Sequence, residues 1–353
     1  MKHFYQTKGF FLNLLLAILL IGCEQQTKAP SEVVVSGIIA QDAHWKQNTV
    51  YILDQQVTVP SGVSLNIDAG TIIKANPGEA STTSMLVIAK GAKIIAKGTA
   101  EEPIIFTSIN DDVDLKEGKE SSLSIADTGL WGGIIIMGDA PISLQNGDDE
   151  TFYTGLDPNT KESYYGGENP EDNSGVLEYV SIRHGGIFIG TGSESNGLTL
   201  CGVGNKTTIN QVEIYANQDD GLEIFGGTVN VSNLFVHACG DDGIDLDEGY
   251  TGTIDHFIVE LTETSESGIE ISSGKGEFVG NFKLDNGLID LHHATNKDAF
   301  TADETAVGTI SNVTISKGKN NETIQSDAAE VSITNDNTAE VDKSTFGWTK
   351  AKA

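Results

Sequence analysis

The chain has 353 residues, with 51 Asp+Glu against 21 Lys+Arg and a formal net charge of −30. Arg183 is its sole arginine and no cluster of basic residues occurs, which excludes direct nucleic-acid binding and adhesion to bare anionic lipid. An anionic polysaccharide could approach such a chain through a bridging metal ion. Gly is high at 40 and Pro low at 7, a balance that suits many tight turns between short strands.

Lys2 and Lys8 precede an apolar run from Phe10 to Ile21, interrupted by Asn13. The run is shorter than the roughly 20 residues of a membrane span and reads as the core of a secretory signal. It ends in Leu20-Ile21-Gly22-Cys23, which resembles the lipobox of bacterial lipoproteins. That resemblance implies a signal peptide over residues 1–22 and acyl groups on Cys23. It further implies a membrane partner, reached through an N-terminal lipid anchor. The expected location is the outer membrane, on its periplasmic or cell-surface side. Residues 23–32 are polar and read as a flexible tether, and 33–353 as a single domain. Cys201 and Cys239 are too few for a disulfide framework and read as unpaired, buried small residues.

Short apolar–polar alternation starts after the tether. Ser64–Lys74, Met85–Lys97 and Pro103–Thr107 look like coils of a ladder, less regular than those that follow. Two polar stretches interrupt the ladder, near 109–128 and 145–174. Loops of this length are either functional or disordered. The second carries Phe152, Tyr153, Tyr164 and Tyr165 among acidic residues, a mixture suited to sugar contact.

A repeat then sets in. Gly197, Gly221, Gly243 and Gly268 are spaced by 24, 22 and 25 residues, each followed by an apolar–polar–apolar triplet. Val212–Ile214, Leu234–Val236 and Phe257–Val259 precede three of them as second strands, and Asn312–Ile315 looks like another. A period of this length made of strands and turns predicts a solenoid. Leu222, Ile244 and Ile269 should then stack in one inward column. A β-sandwich would instead show turns every 8–12 residues.

Several segments resemble a surface-lipoprotein family of Bacteroidetes-type bacteria: Gly91–Ala100 with Pro103–Ser108, Trp131–Gly138, Leu177–Arg183 and Asp219–Asn230. The resemblance spans about residues 45–350. It implies an all-β, right-handed parallel β-helix of the pectin-lyase type, with polar loop insertions; activity in that family is mostly unknown.

The repeat also aligns acids. Two residues after each coil glycine stand Glu223, Asp245 and Glu270, each between inward apolar neighbours and so outward-facing. Two residues before stand Asp219, Asp241 and Glu266, with Asp220 and Asp242 between the columns and Asp247 and Glu248 beyond. Carboxylates stacked about 4.8 Å apart repel, so they bind a cation, take up protons, or stay hydrated as an acidic face. In the first case Asp219, Asp241, Asp242, Glu223, Asp245, Asp247 and Glu270 are the ligand candidates and Ca²⁺ the expected ion. In the last, the Asp residues before each glycine bond turn backbone.

Asn217–Gly221 with Gly240–Gly243 is similar to the paired carboxylate motifs of polygalacturonase-type glycosidases. That family's Gly-His-Gly and Arg-Ile-Lys motifs have no counterpart after these positions. Asp219, Asp220, Asp241 and Asp242 remain catalytic candidates, and Arg183 beside His184 is the candidate base of a lyase unless it simply pairs with nearby acids. The expected function is a lipid-anchored envelope module that binds a glycan or mediates adhesion without catalysis. The alternative is a uronate lyase or glycosidase acting on an extracellular polysaccharide.

Overall fold

The computed structural model describes Met1 and residues 31–114, 120–190, 193–272, 274–276, 279–316, 319, 322–326 and 330–334. The expected signal peptide, Cys23 and most of the tether lie outside the described residues. The first strand, Ser31–Ile38, begins inside the last two residues of that tether.

Among the described residues twenty-two strands join in one sheet, and all of its pairings are parallel. Each strand pairs with its counterpart one coil away rather than with its neighbour in sequence. This is the predicted parallel β-solenoid. Antiparallel pairs among the described residues are confined to two small hairpins outside the coils.

One ladder runs through Met85–Ile88, Ile134–Met137, Leu198–Cys201, Leu222–Phe225, Ile244–Asp247, Ser267–Ile271 and Asp298–Ala302. Leu222 lies opposite Ile244, and Ile244 opposite Ile269, all fully buried, as the period predicts. The other ladder uses longer strands, Gly175–Arg183, Thr208–Tyr215, Asn230–His237, Thr253–Glu260, Phe282–Asp290 and Val307–Ser316. Each bends at one left-handed residue: Tyr179, Gln211, Asn233, His256, Asn286 and Asn312 all have φ between 51° and 56°. Asn tolerates that region best, because its amide bonds locally. Asn286 and Asn312 donate to Asp255 and Asp285 at 2.7 and 2.9 Å.

The recurring glycines have a packing reason. A Cβ on Gly221 would lie 2.5 Å from Val236 Cγ1 and 2.6 Å from the carbonyl oxygen of Gly243. Gly197, Gly243 and Gly268 face the same pair of obstacles, an inward methyl and the backbone of the next coil. The turn thus presses against the core at every repeat, and no side chain fits there.

The second polar stretch is ordered. Thr151–Phe152 pairs antiparallel with Tyr164–Tyr165, and Tyr153, Leu156 and Tyr165 are buried. These side chains cover Met85, Val87, Ile135, Met137 and Cys201 on the outer face of the first ladder, making a second apolar core outside the coils. Another hairpin, Phe188–Gly190 with Ser193–Glu194, joins this cover. The described part of the 109–128 stretch folds over His184, whose Nδ1 lies 2.6 Å from the Asp127 carbonyl oxygen. Cys201 and Cys239 are free and buried.

Candidate functional site

Strand alternation decides which side chains leave the coil. Along the first ladder the outward column reads Val87, Ile135, Thr199, Glu223, Asp245, Glu270, Thr301. Its apolar start lies beneath the hairpin cover, and its acidic part begins where that cover ends. The two hairpins are tied together there: Ser193 Oγ donates to the Thr154 carbonyl at 2.8 Å, and Tyr153 Oη to that of Glu194 at 3.2 Å. Tyr165 Oη donates to Glu248 Oε2 at 3.1 Å, and both tyrosine rings pack on Phe225.

Below the rim lies a cleft of about 420 Å³. Asp219, Asp220, Glu223, Asp241, Asp245 and Glu270 line it from the coils, and Glu194, Phe152 and Tyr165 from the hairpins. Asp220 is buried, Asp219, Glu223, Asp241 and Asp245 are half-buried, and Glu270 is exposed. Burial first, then the neighbouring acids, push Asp219 up to about 8 and Asp241 to about 7. Asp220, Glu223 and Asp245 stand well above the ordinary carboxylate range for the same reasons. Burial also raises Glu248, to about 7.

Two acids do serve the turn backbone. Asp220 Oδ1 accepts the Asp242 N–H at 2.9 Å, and Asp242 Oδ1 accepts the Ser267 N–H at 2.7 Å. Each carboxylate so holds the next coil's turn. Asp242 takes the Ser267 hydroxyl as well, at 2.5 Å, which fits a structural post better than a ligand.

Oxygens of Asp219, Asp220 and Asp241 lie within 4.8 Å of one another, and so do those of Asp220, Glu223 and Asp245. Two ligands about 2.4 Å from one cation are at most ~4.8 Å apart, so either triad fits a hard divalent ion. Asp245 Oδ1 is buried without a hydrogen-bond partner, an acceptor in want of a charge. An inverting glycosidase instead needs its carboxyls about 6.5–9.5 Å apart, with water between them.

Not every sequence candidate joins. Asp247 faces outward in the Phe225 column and accepts the Glu248 N–H at 2.7 Å; it is absent from the cleft lining. Glu270 lines the cleft but is exposed and belongs to neither triad. Arg183 is on the second ladder, 2% exposed, with Nε donating to Ser181 Oγ at 2.8 Å and Nη2 3.7 Å from Glu213 Oε1. It is a buried ion-pair member rather than a base at the cleft. Glu194 and the Tyr165–Glu248 bond were not foreseeable: nothing in residues 184–197 alternates like a strand pair.

Residues 37–352 match the family model described as a pectate-lyase like beta helix domain. Neither a curated protein nor a solved structure matches the chain. With parallel coils throughout and that match over nearly its whole length, the chain belongs to the pectate-lyase-like β-helix family.

Proposed function

We propose that this chain is a lipid-anchored β-helix of the cell envelope that binds an acidic glycan in the cleft through a divalent cation, Ca²⁺ by its ligand chemistry, without catalysis. The observation that carries this reading is the cleft floor, where hard oxygen ligands from adjacent coils meet beneath a rim bearing Phe152. Among the described residues no Lys, Arg or His lines that cleft, and the charge of Lys275 acts on Glu248 there and on Asp247 outside it, so a bound cation would supply the counter-charge for both partners' carboxylates. Retention of the chain on immobilised polygalacturonate or alginate is expected with millimolar Ca²⁺ and not with EDTA. Failure to bind either polymer in Ca²⁺ would refute the reading.

A second reading rests on Asp219 and Asp241, whose raised carboxyls suit general acid–base chemistry near neutrality. New reducing ends or unsaturated products in the same incubations would establish the enzyme in place of the binder.

The anchor rests on the lipobox-like Cys23. Cys23→Ser is expected to move the protein from the membrane to the soluble fraction, since acyl chains supply most of such an attachment. Unchanged membrane association of that variant would rule out the anchor.

A further inference from the structure

The hairpin above the cleft carries a feature that the cation reading does not use. Phe152 and Tyr164 lie directly opposite each other across its two strands, so both side chains leave the same face. Their ring centroids are 6.1 Å apart at 56°. Phe152 lines the acidic cleft. Tyr164 lines a second groove of about 460 Å³, with Ser61, Asn159, Thr160 and Lys161. The aromatic pair thus puts one ring in the lining of each cavity.

The pair is held in place before any ligand arrives. Tyr164 Oη donates to the Pro158 carbonyl at 3.1 Å. Lys90 binds Glu150 and, at 3.0 Å, the Gly166 carbonyl, which clamps both ends of the hairpin. Tyr153 and Tyr165 anchor its underside in the outer core. Even so, Phe152 is 38% exposed; among the described residues it and Phe188, on the adjoining hairpin, are the most exposed phenylalanines. A rigid, solvent-facing ring between two polar grooves offers stacking area at little entropic cost.

We infer that this hairpin is a stacking platform that joins the cleft and the second groove into one track for a chain of several sugar units. The inference rests on the glycan reading above and deepens it. Sugar rings present C–H faces to the two aromatic rings, while hydroxyls take a hydrogen bond from the Asn159 amide and donate one to Thr160 Oγ1 at one end. The cation holds a carboxylate at the other end. A chain engaging both ends binds more tightly than a short one, because the second contact is intramolecular.

The test is calorimetry of the protein with polygalacturonate oligomers of increasing length, in Ca²⁺ and in EDTA. In Ca²⁺, affinity is expected to rise about tenfold or more from disaccharide to decasaccharide. Phe152→Ala with Tyr164→Ala should flatten that rise. Phe152→Ser alone, at an exposed position, should show part of the same loss with an unchanged melting temperature. Length-independent affinity in the wild type, or an unaltered rise in both variants, overturns the platform while glycan binding stands. No binding of any oligomer in Ca²⁺ overturns the glycan reading and the platform with it.

Discussion

Leu222→Asp is expected to abolish cooperative folding. Leu222 is fully buried between Leu198 and Ile244 in the inward column, with apolar neighbours on the coils before and after. An ionised carboxylate there has no partner and no water, and a protonated one still leaves polar atoms unbonded, at a cost of several kcal/mol. Total stability is only about 5–15 kcal/mol. In a solenoid the loss does not stay local, because each coil is stabilised mainly by its two neighbours. Leu222→Ala is the graded control, with an expected loss of about 2–5 kcal/mol. Circular dichroism and thermal melts decide the matter. A Leu222→Asp protein melting within a few degrees of wild type would mean that this column does not hold the coils together.

That column was legible because alternation and period act on the same residues. The glycines marked the repeat, although their reason is spatial: Gly221 and Gly243 are hemmed in by Val236 and Val259 from the opposite ladder. The outer core was less legible. Its signal was the unbroken apolar run Ile134-Ile135-Ile136, since a strand covered on one face only would alternate. What covers Ile135 could not be read, because Tyr153, Leu156, Tyr165 and Ile189 come from stretches with no periodicity of their own. For the same reason the acids were placed in the right columns but assigned a common fate. Asp242 and Asp245, three residues apart, differ because one meets the Ser267 backbone while Oδ1 of the other is buried without a hydrogen-bond partner. That Arg183 pairs with nearby acids was one of the two readings its sequence allowed; the acid is Glu213, with Ser181 Oγ between them.

The acidic floor is expected to make stability depend on pH and, if it holds the proposed cation, on Ca²⁺ as well. In the unfolded chain these carboxyls titrate near pH 4. In the folded, metal-free chain Asp219 titrates near 8, Asp241 and Asp242 near 7, and Asp220, Glu223 and Asp245 well above their ordinary range. Between about pH 4 and pH 8 the folded chain therefore keeps protons that the unfolded chain has released, and its stability falls as pH rises through that window. In EDTA the melting temperature is expected to be lower at about pH 8 than at about pH 5. Ca²⁺ needs the deprotonated ligands, so it competes with these protons. Its stabilising effect should be large at about pH 8 and small at about pH 5. At a hundredfold excess over Kd the gain is about 2.7 kcal/mol, or ~4 °C for a chain of this size. Glu223→Gln with Asp245→Asn replaces two crowded acids by neutral isosteres. That variant should melt higher than wild type in EDTA at about pH 8 and should lose most of the response to Ca²⁺. Scanning calorimetry at the two pH values separates this from simple charge screening. If NaCl at matched ionic strength raises the melting temperature as much as Ca²⁺ does, neither triad is the cation's site; if the double variant keeps the full Ca²⁺ response, the Asp220, Glu223 and Asp245 triad is not.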